Sequence, residues 1–372
     1  MRITIVQGAF LPVPPVSGGA VEKIWFALSK EFARRGHQVT HVSRRHGALA
    51  FEEVADGIHH IRIPGFDTPT SLVKLKWHDL VYTRRVLKAL PEAEVLVTNT
   101  FWLPLLSRDP KRGRICVHVA RYPKGQLKLY RTAARLHTVS QAISDAIGRE
   151  APGLASRVRV IPNFVDVSGP QPGHIKRNTD ILYVGRIHPE KGLHLLLNAF
   201  DRLVAEGFRD WRLRIVGPWD AKYGGGGAHY FDSLRKQSQK LGQLVDWQGP
   251  IFDAEELRAS YARSAVFVYP SLAERGESFG LAPLEAMAAG CPPIVSSLEC
   301  FRDFVKAGVN GWTFDHRSVD AAADLAKILK DVLTDTDALD RVREGAVRTA
   351  REFSLLKVAD QYLSDFEEVV RQ

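Results

Sequence analysis

Two glutamates, Glu277 and Glu285, stand eight positions apart in the segment ESFGLAPLEAMAAG, residues 277–290. Between them Ser278, Phe279, Gly280 and Leu281 lead into Pro283, and a proline in the first turn marks the start of a helix. The first backbone amides of a helix have no internal acceptor, so they can bind an anion such as a pyrophosphate. Gly280 lets the backbone come close to that anion. Glu285, inside the helix, can accept hydrogen bonds from ribose hydroxyls, and Glu277, just before the turn, can hold a sugar hydroxyl. The competing reading is two solvated glutamates beside an ordinary cap. The glycine turn, the proline and the AMAAG tail together weigh against it.

Such residues need a framework, and the chain alternates short β-branched runs with helical patterns. Strands are expected at 2–7, 39–42, 58–63, 95–98, 115–119, 135–139 and 157–161, and a helix over 19–35, where Val21, Ile24, Trp25, Leu28 and Phe32 form one apolar stripe ended by Gly36. A second series places strands at 181–184, 211–216, 245–247, 265–269 and 293–295, and helices at 193–205, 229–241, 254–263, 283–289 and 319–333. The alternation implies parallel strands with crossover helices. The expected fold is α/β: two Rossmann-like doubly wound domains, 1–168 and 169–353, facing a central cleft. A Ser/Gly/Pro/Asn-containing linker is expected at 167–179, and a terminal helix, 354–372, is expected to pack back on the first domain. Ligands of such sheets sit beyond the carboxyl ends of the strands. Gly224–Gly227 reads as a flexible surface loop, and Trp219 and Trp247 as core residues near the site.

Composition bounds the function classes. The chain has 372 residues, 45% hydrophobic and 25% charged, the mix of a soluble globular protein rather than a disordered or collagen-like one. Three cysteines, Cys116, Cys291 and Cys300, with no CxxC spacing, argue against a disulfide framework or zinc site and for a reducing compartment. The start MRITIVQGAF lacks the apolar length of a signal peptide, and no run reaches the ~20 apolar residues of a membrane span. A cytoplasmic location is expected, with membrane association at the inner face left open. The net charge of +9 is uneven: residues 1–170 carry 25 Lys/Arg against 13 Asp/Glu, and the remainder 26 against 29. The excess is densest over 108–135, with nine basic residues against Asp109 alone. Tyr122, Leu127 and Tyr130 lie among them. The alternatives are a solvated face or attraction to anionic lipid or a phosphate-bearing acceptor. Nucleic acid is disfavoured because no nucleic-acid motif accompanies the patch.

The 277–290 segment resembles the E-x7-E signature of retaining GT-B glycosyltransferases of the family 4 type, the glycosyl transferases group 1. Other matches follow in order along essentially the whole chain. Gly18–Gly19 follow the first strand; ARRGHQV lies at the first-helix exit; Val139–Ser140 and IPNFVD (161–166) resemble the family's "VS" and "PNGVD" segments, with Phe164 where glycine is commoner. VGRIHPEKG (184–192) resembles the phosphate-binding strand and loop, and VGPW from Val216 and Gly249–Pro250 lie where the family's nucleotide site lies. The resemblance implies a nucleotide-diphosphate sugar (UDP, GDP or ADP) as donor substrate, with no separate cofactor and no metal. Gly18, Gly19, Gly185, Arg186, Lys191, Gly217, Pro250, Ser278, Phe279, Gly280, Leu281 and Glu285 are the implied donor-binding residues. Arg186 and Lys191 would neutralise charge developing on the departing phosphates. His118, at the end of a first-domain strand, would contact the transferred sugar. Glu277 would position that sugar. The implied reaction is transfer with retention to a lipid-linked, polysaccharide or other glycan acceptor in cell-envelope or exopolysaccharide biosynthesis. It favours front-face attack assisted by the leaving phosphate over a nucleophile beneath the sugar. Other readings are a synthase, phosphorylase or epimerase of the same fold, or a non-catalytic binding protein.

Overall fold

The computed structural model describes residues 1–168 and 177–372. The chain divides into two compact units, one of residues 1–164 with 355–372 and one of residues 165–354. The segment 169–176 of the expected linker lies outside the described residues.

The first unit opens with β1 (Arg2–Val6), α1 (Ala20–Arg34), β2 (Gln38–Arg44), β3 (Glu52–Ala55) and β4 (Ile58–Ile63). It continues through α2 (Leu72–Ala89), β5 (Val95–Thr98), the short α3 (Leu103–Leu106), β6 (Arg114–Val119), β7 (Arg135–Thr138), α4 (Gln141–Glu150) and β8 (Val158–Val160). The sheet order is β3-β4-β2-β1-β5-β6-β7-β8, parallel except for β3 against β4. Central strands are buried on both faces, as a sheet flanked by crossover helices requires: Ile3, Ile5, Val95 and Val97 on one face and Thr4, Val6 and Leu96 on the other are all buried.

The second unit runs β9 (Asp180–Val184), α5 (Leu193–Ala205), β10 (Arg212–Val216), α6 (Gly227–Gln237), β11 (Val245–Gly249), α7 (Ala254–Arg263) and β12 (Val266–Tyr269). Then come α8 (Leu281–Ala288), β13 (Pro293–Ser296), β14 (Trp312–Phe314), α9 (Ala321–Thr334) and α10 (Thr336–Glu352). All six strands are parallel, in the order β11-β10-β9-β12-β13-β14.

The last helix, α11 (Leu355–Arg371), belongs to the first unit. Val358, Ala359, Tyr362, Leu363, Phe366 and Val369 recur at helical spacing and enter one cluster with Trp25, Leu28 and Phe32 of α1. Each large side chain so buried contributes ~1.5–3 kcal/mol. The helix is also pinned by charge. Asp365 accepts from Arg135 Nε at 2.9 Å and from His137 Nε2 at 2.7 Å, and it is nearly buried.

Three differences from expectation have local causes. The helix expected over 229–241 ends at Gln237, and Gly242 (φ 54°) turns the chain into β11. β3 and β14 are short edge strands whose sequences carry little alternation, and α10 is so polar that its apolar stripe is narrow. Gly224–Gly227 is not a loose loop. Gly225 and Gly226 donate to the carbonyls of Asp220 and Ile187, and a Cβ on Gly225 would lie 2.2 Å from the Trp219 backbone.

Candidate functional site

In the second unit the strand order reverses at β9: β10 lies on one side of it and β12 on the other. Loops leaving the carboxyl ends of two such strands diverge and open a crevice. Gly185–Lys191 follow β9, and Ser271–Gly280 follow β12, so residues far apart in sequence converge there.

Lys191 Nζ donates to Glu277 Oε2 at 2.6 Å. The Tyr269 and Ser271 hydroxyls donate to the same oxygen, each at 3.2 Å. The lysine and glutamate side chains are only 7% and 11% exposed. Burial, reinforced by the Glu277 charge, holds the Tyr269 phenol well above its usual range, so it stays a hydrogen-bond donor. Tyr269 and Ser271 escape a motif-based reading. Their one signal is their position at, and just past, the end of the strand that borders the reversal.

Arg186 donates to Glu190 Oε1 at 2.8 Å and to the Gly224 carbonyl at 2.6 Å. Its side chain is 43% exposed, so this i, i+4 pair is weak and open to exchange for a more charged partner. Gly185, Gly217 and Gly249 follow or end the three strands β9, β10 and β11. Gly185 donates to the Val216 carbonyl and Gly217 to the Gly249 carbonyl. A Cβ on Gly217 would lie 1.9 Å from the Gly185 carbonyl oxygen, so only glycine fits. Pro250 is exposed directly after β11.

Gly280 is the N-cap of α8, in the left-handed region at φ 88°, and a Cβ there would meet the Phe301 ring at 2.4 Å. No side chain among the described residues caps this helix, so its first-turn amides, at and after Leu281, remain available to an anion. Ser278 is half-buried in the turn. Phe279 turns inward onto Phe304 and Phe353, which leaves only its backbone for a ligand. Glu285 accepts from the buried Tyr261 hydroxyl at 3.3 Å. Trp219 is 37% exposed and stacks on Phe231 at 5.3 Å; it is not a core residue, because the packed glycine loop lifts it to the surface. Trp247 is half-buried against the edge of the same Phe231.

The remaining candidates are in the first unit. Gly18 and Gly19 both have positive φ and enter α1, where a Cβ on Gly19 would meet the Glu22 carboxylate at 2.1 Å. His118 lies near the carboxyl end of β6, 5% exposed, with its ring edge-on to Trp25 at 5.4 Å. Burial, with a smaller push from His137, lowers its pKa to about 3, so the ring is neutral. Neither ring nitrogen has a hydrogen-bond partner among the described residues. The three cysteines are buried free thiols.

The basic run 108–135 does not form one patch. β6 crosses the sheet between Arg114 and Val119, and the chain returns to start β7 at Arg135. Arg108, Arg112, Arg114 and Arg131 therefore lie towards the amino ends of these strands, and Arg121 and Lys124 follow the carboxyl end of β6. No helix among the described residues is long and apolar enough to cross a membrane.

Two family models match consecutive stretches of the chain. Residues 18–168 match Glycosyltransferase Family 4, and residues 168–348 match Glycosyl transferases group 1. A phosphatidyl-myo-inositol mannosyltransferase of Mycolicibacterium smegmatis is 36% identical over 219 residues, 57% of this chain. The match spans about half, 51%, of that relative's length. Among solved structures, a sucrose-phosphate synthase from Thermosynechococcus elongatus superposes with a TM-score of 0.78 at 19% identity, over 99% of both chains. Anabaena HepE in complex with UDP superposes with a TM-score of 0.72, again at 19% identity, over 99% of this chain and 100% of that one. These two likenesses are of fold.

Proposed function

The chain belongs to the family 4 type of glycosyltransferase, the glycosyl transferases group 1, with the GT-B fold, and from that premise we propose that it is a retaining enzyme using a nucleotide-diphosphate sugar. The observation that carries this reading is the buried Lys191–Glu277 pair beside the uncapped start of α8. A diphosphate seated on the α8 amides has its negative charge met by Lys191 and, once it exchanges its Glu190 partner, by Arg186. Glu285 takes the ribose hydroxyls, and the glycines at 185 and 217 admit the nucleotide backbone closely. Pro250 borders the base. The UDP held by a protein of the same fold supports a nucleoside diphosphate, with UDP, GDP and ADP all fitting this chemistry.

Glu277 positions the sugar rather than attacking it, because Lys191, Tyr269 and Ser271 already converge on one of its oxygens. The bond from the anomeric carbon to the β-phosphate oxygen breaks while an acceptor hydroxyl attacks from the same face. The hydroxyl proton passes to the departing phosphate oxygen. Arg186, Lys191 and the helix amides stabilise the charge that builds there, which dispenses with a metal. His118, neutral, can offer a ligand hydrogen bonds but no charge. The first unit takes the acceptor: a lipid-linked, polysaccharide or other glycan, with its basic character suited to an anionic one and to peripheral contact with a membrane's inner face.

The test is nucleotide release from UDP-, GDP- and ADP-sugars, preceded by thermal-shift screening, since a ligand of the folded state raises the melting temperature by mass action. Arg186→Ala, Lys191→Ala and Glu277→Ala should each lower turnover strongly. Near-wild-type turnover in all three overturns the site assignment.

A further inference from the structure

The first unit carries an open groove of about 1260 Å³ that is remote from the carboxyl ends of its strands. Its lining comes largely from residues that precede or begin strands, Glu94 before β5, Arg114 at the start of β6, Arg131 and Arg135 at β7, and Arg157 and Arg159 at β8, and is completed by Glu368, Val369, Val370 and Gln372 at the end of α11. Parallel strands all begin at one edge, so the groove lies at the edge opposite to the one where ligands of doubly wound sheets ordinarily sit.

The charge in this groove is unbalanced. Arg108, Arg114, Arg131, Arg135, Arg157 and Arg159 line it, and its side-chain carboxylates are Glu94, Asp109 and Glu368. Each carboxylate is already taken. Glu94 accepts from the Arg2 amide and faces the Arg2 guanidinium, and Asp109 caps Lys111 and pairs with Arg112. Glu368 is held by Arg135 and Arg159. Arg108, Arg114, Arg131 and Arg157 have no carboxylate partner among the described residues. Arg157 is held in place by Nη1, which donates to the carbonyls of Arg131 and Ala133 at 2.7 and 2.9 Å. Like charges gathered without counter-charges repel one another, and an anion in the groove relieves that repulsion.

We propose that this groove is a second anion site that binds clustered phosphate groups, apart from the donor site. The planar guanidinium fork matches phosphate oxygens two at a time, which a lysine cannot do, and all the unpaired cations here are arginines. The open form suits several adjacent phosphates rather than one enclosed ion. Two sources share this chemistry: a soluble polyphosphorylated molecule and the headgroups of anionic lipids. The inference does not rest on the donor reading.

The test uses the full chain, inorganic tripolyphosphate, and phosphatidylcholine vesicles containing about a third phosphatidylglycerol. Arg114→Glu/Arg131→Glu is the groove variant, and Lys124→Glu, beyond the carboxyl end of β6, is the control. Both altered arginines are exposed, so the ligand-free melting temperature of the variant should stay near that of the parent. Tripolyphosphate should raise the parent's melting temperature, with an affinity that falls steeply with salt and that the groove variant weakens roughly tenfold or more. The control variant should bind as the parent does, and the response to UDP should be the same in all three proteins. Vesicle binding lost in the groove variant and competed by tripolyphosphate identifies lipid headgroups as the source. Tripolyphosphate binding without vesicle binding identifies a soluble phosphate. Equal binding by parent and groove variant, or no binding of either probe by the parent, overturns the proposal.

Discussion

Lys191 Nζ and Glu277 Oε2 lie 2.6 Å apart although 86 positions separate them in the chain, and both side chains are nearly buried. They come from the loops after β9 and β12, the two strands at the reversal of the second sheet. A buried pair of this kind is a weak source of stability but a strict one, because neither charge tolerates losing the other. It also places a cation and a sugar-binding carboxylate in one fixed relation before any ligand arrives, which lowers the ordering cost of binding.

Removing one partner is therefore expected to act on fold and site together. Lys191→Ala should destabilise the protein by ~3–5 kcal/mol, as the loss of a buried ion-pair partner does, and lower nucleotide-sugar turnover about 100-fold or more. Lys191→Met/Glu277→Gln should recover much of the stability and none of the turnover. Urea denaturation alongside nucleotide-release rates checks both. Recovered turnover in the double variant contradicts the assigned roles.

Gly280→Ala introduces a Cβ 2.4 Å from the Phe301 ring at a residue with φ 88°. The backbone strain alone is of order 1–3 kcal/mol, and the α8 amides should tilt away from their ligand. A lower melting temperature and weaker nucleoside-diphosphate binding are expected, measured by calorimetry. Pairing it with Phe301→Leu should relieve the clash and leave the strain. Unchanged diphosphate affinity in Gly280→Ala counts against the helix amides as the anion site.

Asp79 supplies a pH dependence with a definite sign. Its carboxylate accepts from the amides of Phe101 and Trp102, yet burial pushes its pKa up from 3.8 to about 6. Between those values the folded state holds a proton that the unfolded chain has lost. Its contribution is thus fully present below pH ~4 and disappears as the pH rises through ~6. At 1.36 kcal/mol per pKa unit this is about 3 kcal/mol. The stability difference between parent and Asp79→Asn should shift by that order, in favour of the variant, from pH 4 to pH 7. A flat difference refutes the reading.

Phe366→Ala should cost ~3–5 kcal/mol, because Phe366 is fully buried between Phe32, His137 and Tyr362. The loss should fall on the first unit. Hydrogen exchange is expected to rise in α1 and β1 and to remain unchanged in α5 and β10, and equal protection loss in both units contradicts the division.

Much of this molecule was legible in its residues one stretch at a time. The stripe Val21–Phe32, the glycine stop at Gly36, the β-branched runs and the segment from Glu277 to Gly290 depend on neighbours a few positions away, and local periodicity and turn chemistry report such relations directly. That is why α5 and α7 are expected and found at the same residues, and why the helix expected from Pro283 is found within two residues of it, from Leu281. What tertiary structure alone decided is what meets what. The sequence carries no sign that Lys191 closes on Glu277, that Tyr269 and Ser271 join them, or that Arg186 rests on the Gly224 carbonyl. Nor does it show that the single basic run from Arg108 to Arg135 is split between opposite edges of a sheet. Those relations follow from strand order and direction, and sheet pairing is set by burial summed over the whole domain, which no window of sequence contains.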